Sequence, residues 1–354
     1  MTAKSKWSAK ELQADRSWIY QFGAQERKAL KGALRQAPQR EHLFDYKKSD
    51  FDLGSAGALL QDALEQVKNG RGVAMILGLP REDLSEEEFG LMTWAIGLHS
   101  GVPRPQGTSA HYLTPIRDVG MVYRSGKGRG YSSNAELDYH TDTADLVFLS
   151  CYNRAESGGM SLSTSTMAAY DEMQRLHPSM AQWLHAPLHF SRQGDEAPDE
   201  GPTCQQPVYD LADGELVCRW NWNRVNSAQQ LENVPRIAPE HLAALKCYDA
   251  VVRRPELVHE FWMEPGDLQI INSHRTLHSR TEFTDYTDPA RKRLMYRLWI
   301  APPDSKALPK SWKELYRHIE PGSVRGGIRG RIYDARCEEF ERRQAQEVGV
   351  QFIS

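Results

Sequence analysis

The apolar positions Ala56, Leu59, Leu60, Ala63, Leu64 and Val67 recur at helical spacing, and Asn69-Gly70 stops the run. Val73 to Leu77 is unbroken apolar sequence and predicts a buried strand. Ser85 with Glu88 forms a capping box, which predicts a helix to about Ile96 closed by Gly97. Further on the period shortens. Leu146 to Tyr152 reads as a buried strand, Glu156 to Gly159 as a turn, and Met160 to Ser163 as the next strand. Glu264-Pro265-Gly266-Asp267 is a second turn and leads into a strand over Leu268 to Ile271. A last strand covers Arg293 to Ile300, where alternation puts Arg293 and Arg297 on one face and Leu294, Tyr296 and Leu298 on the other. A helix–strand–helix lead-in therefore precedes a β-rich body. The first fifty residues are polar, with Trp7, Leu12, Trp18 and Ile19 scattered among them. They predict one or two short helices wrapped on the core, or an arm that contacts a partner. The expected division is a helical arm over 1–50, one domain over 51–335 and a helical tail over 336–354.

Candidate chemistry gathers at His140-Thr141-Asp142. On a strand, residues two apart share a face, so one imidazole and one carboxylate can take adjacent corners of a metal's coordination sphere. A second imidazole would complete two histidines and one carboxylate, the facial set of non-haem Fe(II). Both His274 and His278 are available for that place, and the chemistry of the side chains does not separate them. Arg297 could hold a dicarboxylate by a charge-assisted, bidentate contact.

Two segments suggest a substrate pocket. Residues 101–130 are rich in Gly, Pro, Arg and Ser, lie just before the metal pair, and read as a loop that could close over it. The run Cys218 to Arg224, read as a strand, sends Arg219, Asn221 and Asn223 one way and Trp220, Trp222 and Arg224 the other. One face offers an Arg and amides to a polar substrate, while the tryptophans pack. The acidic run Asp195 to Glu200 reads as a solvated loop.

Composition narrows the classes. A chain of 354 residues buries a substantial core, and a net charge of −3 gives no sign of attraction to nucleic acid or membrane. The five cysteines show no CxxC spacing, which argues against a disulfide framework or a zinc knuckle. No apolar run reaches membrane-spanning length. A reducing cytoplasm is the simplest compartment.

Two stretches together resemble the taurine dioxygenase-like branch of Fe(II)/2-oxoglutarate dioxygenases. One is Glu136 to Tyr170, with His140-Thr141-Asp142 and Gly158-Gly159-Met160-Ser161; the other runs from Pro265-Gly266-Asp267 through Leu277-His278-Ser279-Arg280 to Trp299. The resemblance covers roughly residues 70–330. It implies an α+β fold with a double-stranded β-helix (jelly-roll) core and flanking helices. It implies Fe(II) on His140, Asp142 and His278, choosing His278 over His274. It places Arg297 on a 2-oxoglutarate carboxylate, Ser161 where the family often has a Thr that hydrogen-bonds this co-substrate, and Arg293 at a position that contacts substrate. Arg219, Asn221 and Arg224 join Arg293 as candidate substrate residues. The implied reaction consumes O2 and 2-oxoglutarate, releases succinate and CO2, and hydroxylates a C–H bond of a small molecule bearing a carboxylate or an amine. Desaturation or cyclisation by the same site is the alternative. A carboxylate at Asp142 fills the place that a halogenating relative leaves to chloride. A non-catalytic 2-oxoglutarate binder would not need this ligand set, and a zinc hydrolase would not need Arg297. A homo-oligomer is compatible with the resemblance.

Overall fold

The structure, a computed structural model, describes residues 3–108, 110–124 and 130–353. Its larger sheet runs in the order Ile19–Gln21, Val73–Leu77, Leu268–Asn272, Leu146–Asn153, Leu294–Ala301 and Val102–Arg104, and Leu113–Ile116 also pairs with Leu294–Ala301. Ile19–Gln21 is parallel to Val73–Leu77, and the other pairings are antiparallel. The strands predicted at 73–77, 146–152, 268–271 and 293–300 are all present.

Alternation sorts the two faces of this sheet. Phe148, Leu294, Tyr296, Leu298 and Ile300 pack against a helical layer that includes Ser55–Asn69 and Glu86–Ser100. Phe148, Leu298 and Ile300 are fully buried, each worth about 1.5–3 kcal/mol of transfer free energy. Val147, Cys151, Met295 and Trp299 lie on the opposite face with Trp7 and Trp18. That inner face looks toward a three-stranded sheet, ordered Val258–Phe261, Ser161–Ser165 and Thr276–Arg280. Leu162 and Leu277 of the smaller sheet point away from the larger one, into a core shared with helices Thr166–Leu176 and Pro239–Val252. Gln269 reaches across to donate to Ser163 at 3.4 Å, linking the two sheets from within.

Four expectations change. The helix capped by Ser85 runs through Gly97 to Ser100. Gly97 is there because a Cβ would come within 2.6 Å of the Leu298 side chain, so a glycine lets the helix lie close on the sheet. The stretch 101–130 is only partly loop, since Val102–Arg104 and Leu113–Ile116 are sheet strands. Residue 109 and residues 125–129, which the proposed closing loop would include, lie outside the described residues. The first fifty residues hold helices Ala9–Ala14 and Ala24–Gln36, but between them the strand Ile19–Gln21 joins the sheet, and Trp7, Leu12 and Trp18 are buried. The final helix, Ala335–Val348, is built into the body: Phe340 stacks on Trp94 at 5.4 Å, and Glu341 pairs with Arg104 at 2.5 Å. No helix among the described residues is long and apolar enough to cross a membrane.

Candidate active site

His140 and His278 face each other as a hydrogen-bonded antiparallel pair. Each backbone N–H donates to the other's carbonyl at 3.0 Å, and the two rings lie 4.2 Å apart. His278 belongs to the strand Thr276–Arg280, whereas His140 is an isolated bridge between His278 and Asn221. The expected strand through His140-Thr141-Asp142 is thus reduced to one bridge. Side chains replace the ladder beyond it: the Asp142 N–H donates to Ser273 Oγ at 2.7 Å, and that hydroxyl donates back to the Asp142 carbonyl at 3.0 Å. His140 and Asp142 still face the same way.

His140 Nε2 lies 3.8 Å from Asp142 Oδ1, and His278 Nε2 lies 3.8 Å from Asp142 Oδ2. One ligand atom from each of the three residues lies within 4.8 Å of the others. His140 Nδ1 is 2.8 Å from the Asp138 carbonyl, which makes Nδ1 the protonated nitrogen and leaves the Nε2 lone pair free. Burial lowers the pKa of His140, and burial together with the neighbouring His140 brings His278 down to about 3. Both rings are therefore neutral at pH 7, as metal ligation requires. Burial alone would raise the Asp142 carboxyl, but Arg297, the two imidazoles and the Trp299 indole hold it well below the usual carboxylate range. Two neutral imidazoles and one carboxylate are a donor set that suits Fe(II).

His274 is elsewhere. It precedes the strand, stays buried, and sits with Nε2 at 3.1 Å from the Tyr316 hydroxyl, between the rings of Trp312 and Tyr316.

Two compartments meet at the triad, and Arg297 lines both. Arg297 donates from Nε to Gln106 at 2.7 Å and turns Nη1 toward Asp142 Oδ2 at 3.5 Å. The inner compartment contains Ser161, Gln269, Arg280 and Arg293. Arg280 and Arg293 are buried, and each has an Nη1 without a hydrogen-bond partner. The outer compartment brings together Arg219, Asn221, Asn223, Arg224 and Asp195.

The segment 218–224 is not the strand its alternation suggests. The strand ends at Cys218, and Asn221 caps the helix Trp222–Ala228 by accepting the Arg224 N–H at 3.0 Å. Trp220 is fully buried, Trp222 stacks on it, and Arg219, Asn221 and Arg224 all reach the outer compartment. The acidic run is not a solvated loop either. Asp195 is buried at 3.6 Å from Arg224, and Asp199 and Glu200 hold Arg317 at 2.7 and 3.0 Å. Several site residues were not foreseen: Gln106, Asp195, Ser273, Arg280 and Trp299. Two of them had a signal, since Arg280 follows His278 by two residues and Trp299 follows Arg297 by two.

The family described as "Taurine catabolism dioxygenase TauD, TfdA family" matches residues 34–299. FR-33289 synthase of Streptomyces rubellomurinus is 29% identical over 318 residues, covering 88% of this chain and 93% of that protein. The taurine hydroxylase-like protein SAT17 of Stachybotrys chartarum is 27% identical over 207 residues, 53% of this chain and 51% of that protein. Among solved structures, asparagine oxygenase with Fe(II), 2S,3S-3-hydroxyasparagine and succinate superposes with a TM-score of 0.62 at 15% identity, covering 80% of this chain and 93% of that one. The non-heme iron oxygenase OrfP with Fe and alpha-ketoglutaric acid gives 0.59 at 14% identity, covering 80% and 94%. The chain belongs to the TauD/TfdA family and is an Fe(II)- and 2-oxoglutarate-dependent dioxygenase.

Proposed function

We propose that His140, Asp142 and His278 hold the iron, and that the enzyme hydroxylates a C–H bond of a small anionic or zwitterionic molecule with release of succinate and CO2. The observation that carries this reading is the convergence of three ligand atoms within 4.8 Å at the meeting point of two arginine-lined compartments. The hydroxylated amino acid bound to asparagine oxygenase, a protein of the same fold, supports hydroxylation of a small polar molecule. The two sheets enclosing the triad are read as the halves of a double-stranded β-helix. Bound iron and 2-oxoglutarate together supply the oxidising chemistry.

The rest falls to the chain's own side chains. The Asp138 carbonyl fixes the His140 tautomer, Ser273 fixes the Asp142 backbone, and Trp299 fixes the Asp142 carboxylate. The far carboxylate of 2-oxoglutarate is assigned to the inner compartment, on Arg293 with Ser161 beside it and Arg280 in support. This exchanges the roles that the family resemblance implied for Arg293 and Arg297. Arg293 is buried with guanidinium hydrogens unspent, while Arg297 is committed to Gln106 and Asp142. Arg297 then stands at the boundary, between the metal and the substrate in the outer compartment.

Anaerobic difference absorbance tests the assignment. Fe(II) with 2-oxoglutarate should give a weak visible charge-transfer band, kept in His274→Ala and lost in His278→Ala. Iron bound without the band in the unmodified protein would overturn the co-substrate site.

A further inference from the structure

Four buried arginines outside the site are paired with carboxylates: Arg104 with Glu341 at 2.5 Å, Arg192 with Glu200 at 3.4 Å, Arg325 with Asp145 at 2.6 Å, and Arg275 with Glu215. The other three buried arginines, Arg219, Arg280 and Arg293, have no carboxylate within ion-pair distance among the described residues. All three line the compartments beside the triad. A guanidinium keeps its charge when buried, so an uncompensated one is costly unless a ligand supplies the counter-charge. The far carboxylate of 2-oxoglutarate answers to Arg280 and Arg293. Nothing yet answers to Arg219.

Arg219 is 2% exposed. Its Nη1 donates to the carbonyl and the hydroxyl of Thr141, the residue between two of the proposed ligands, and its Nη2 donates to Thr143 Oγ1 at 3.1 Å. Its Nε–H has no acceptor. The unspent, buried Nε–H leaves the side-on edge of the guanidinium without a full set of protein acceptors, and carboxylates and phosphates bind such an edge through two parallel hydrogen bonds. Among the described residues, the carboxylates lining the outer compartment are Asp142 and Asp195. Iron takes Asp142, and Asp195 lies by Arg224. Arg219 is then in surplus.

We infer that the substrate carries net negative charge and docks an oxyanion group (carboxylate, sulfonate, phosphate or phosphonate) on Arg219, in preference to a zwitterion of zero net charge. The inference rests on the oxygenase site proposed above. Calorimetric titration of the full chain loaded with Mn(II) and saturating 2-oxoglutarate tests it, using sulfate, acetate and glycine as probes. Sulfate should bind at least ten-fold tighter than glycine, and Arg219→Gln should weaken sulfate at least ten-fold while moving 2-oxoglutarate affinity less than two-fold. Glycine binding as tightly as sulfate would overturn the charge preference. Unchanged sulfate affinity in the variant would overturn the seat. Because Arg219 also braces Thr141 and Thr143, Arg219→Lys is measured beside it. Lysine keeps the charge without the side-on edge, so sulfate should weaken there too, and full sulfate affinity in the lysine variant counts against the seat. If the unmodified protein fails to bind 2-oxoglutarate, the oxygenase site itself falls, which is a separate outcome.

Discussion

The Trp299 indole N–H donates to Asp142 Oδ2 at 2.9 Å, so a residue of the larger sheet holds the carboxylate of the proposed metal triad. Removing that contact frees the carboxylate to rotate. Trp299→Phe keeps the packing and deletes the donor, and is expected to lower Fe(II) affinity about 10–100-fold, the usual cost of losing a partner that orients a metal ligand. Anaerobic Fe(II) titration checks it. An unchanged dissociation constant would show that Arg297 alone suffices to hold Asp142.

Arg293 and Arg297 should separate cleanly. Arg293→Gln is expected to weaken 2-oxoglutarate by about 2–3 kcal/mol, roughly 30–150-fold, because it removes a buried charge-assisted contact. Arg297→Gln should weaken it less and act mainly on substrate. Dissociation constants from the anaerobic charge-transfer band decide between them, and the reverse order would restore Arg297 as the anchor.

His274 gives the fold a pH dependence of its own. Burial, opposed by Asp145, holds it at about 4 against a usual 6.5. The unfolded chain therefore takes up this proton first as pH falls. The contribution to stability is complete above pH 6.5 and is lost between about 6.5 and 4, at up to about 1.4 kcal/mol per pH unit. Urea denaturation of His274→Gln across that range should show a slope shallower by about one proton. Parallel slopes would assign the titration to another group.

Gly97 tests the contact between helix and sheet. A methyl group there meets the buried Leu298 side chain, so Gly97→Ala should destabilise by about 1–3 kcal/mol despite alanine's better helix propensity. Chemical denaturation measures it, and a stabilised variant would mean that Leu298 has room to turn aside.

The parts of this molecule that were legible in the sequence are those governed by one local period. Val73–Leu77 and Leu294–Ala301 could be read because burial writes itself directly into the choice of side chains. His140, Asp142 and His278 were legible as chemistry and meet as expected, but choosing His278 over His274 required the family resemblance. The sequence misleads where a side chain takes over a backbone's hydrogen bonding. Asn221 turns an alternating run into a capped helix, and Ser273 holds Asp142 where a strand would have continued. Pairings between distant residues leave no local trace, so the acidic run looked solvated although its members meet Arg224 and Arg317. Arg293 and Arg297 share a face, as alternation requires, yet their neighbours 106, 161 and 280 are what distinguish them.

His140 and His278 lie opposite each other in a single antiparallel bridge, and this makes the proposed metal site digital. A slip of one residue between these segments would turn one imidazole to the other face, leaving a pair that is still bonded but holds no iron. Iron captured by both rings thus binds only the correctly registered pairing, and by mass action it favours that pairing over its neighbours. On this reading the cofactor also serves as a proofreader of the fold that carries it.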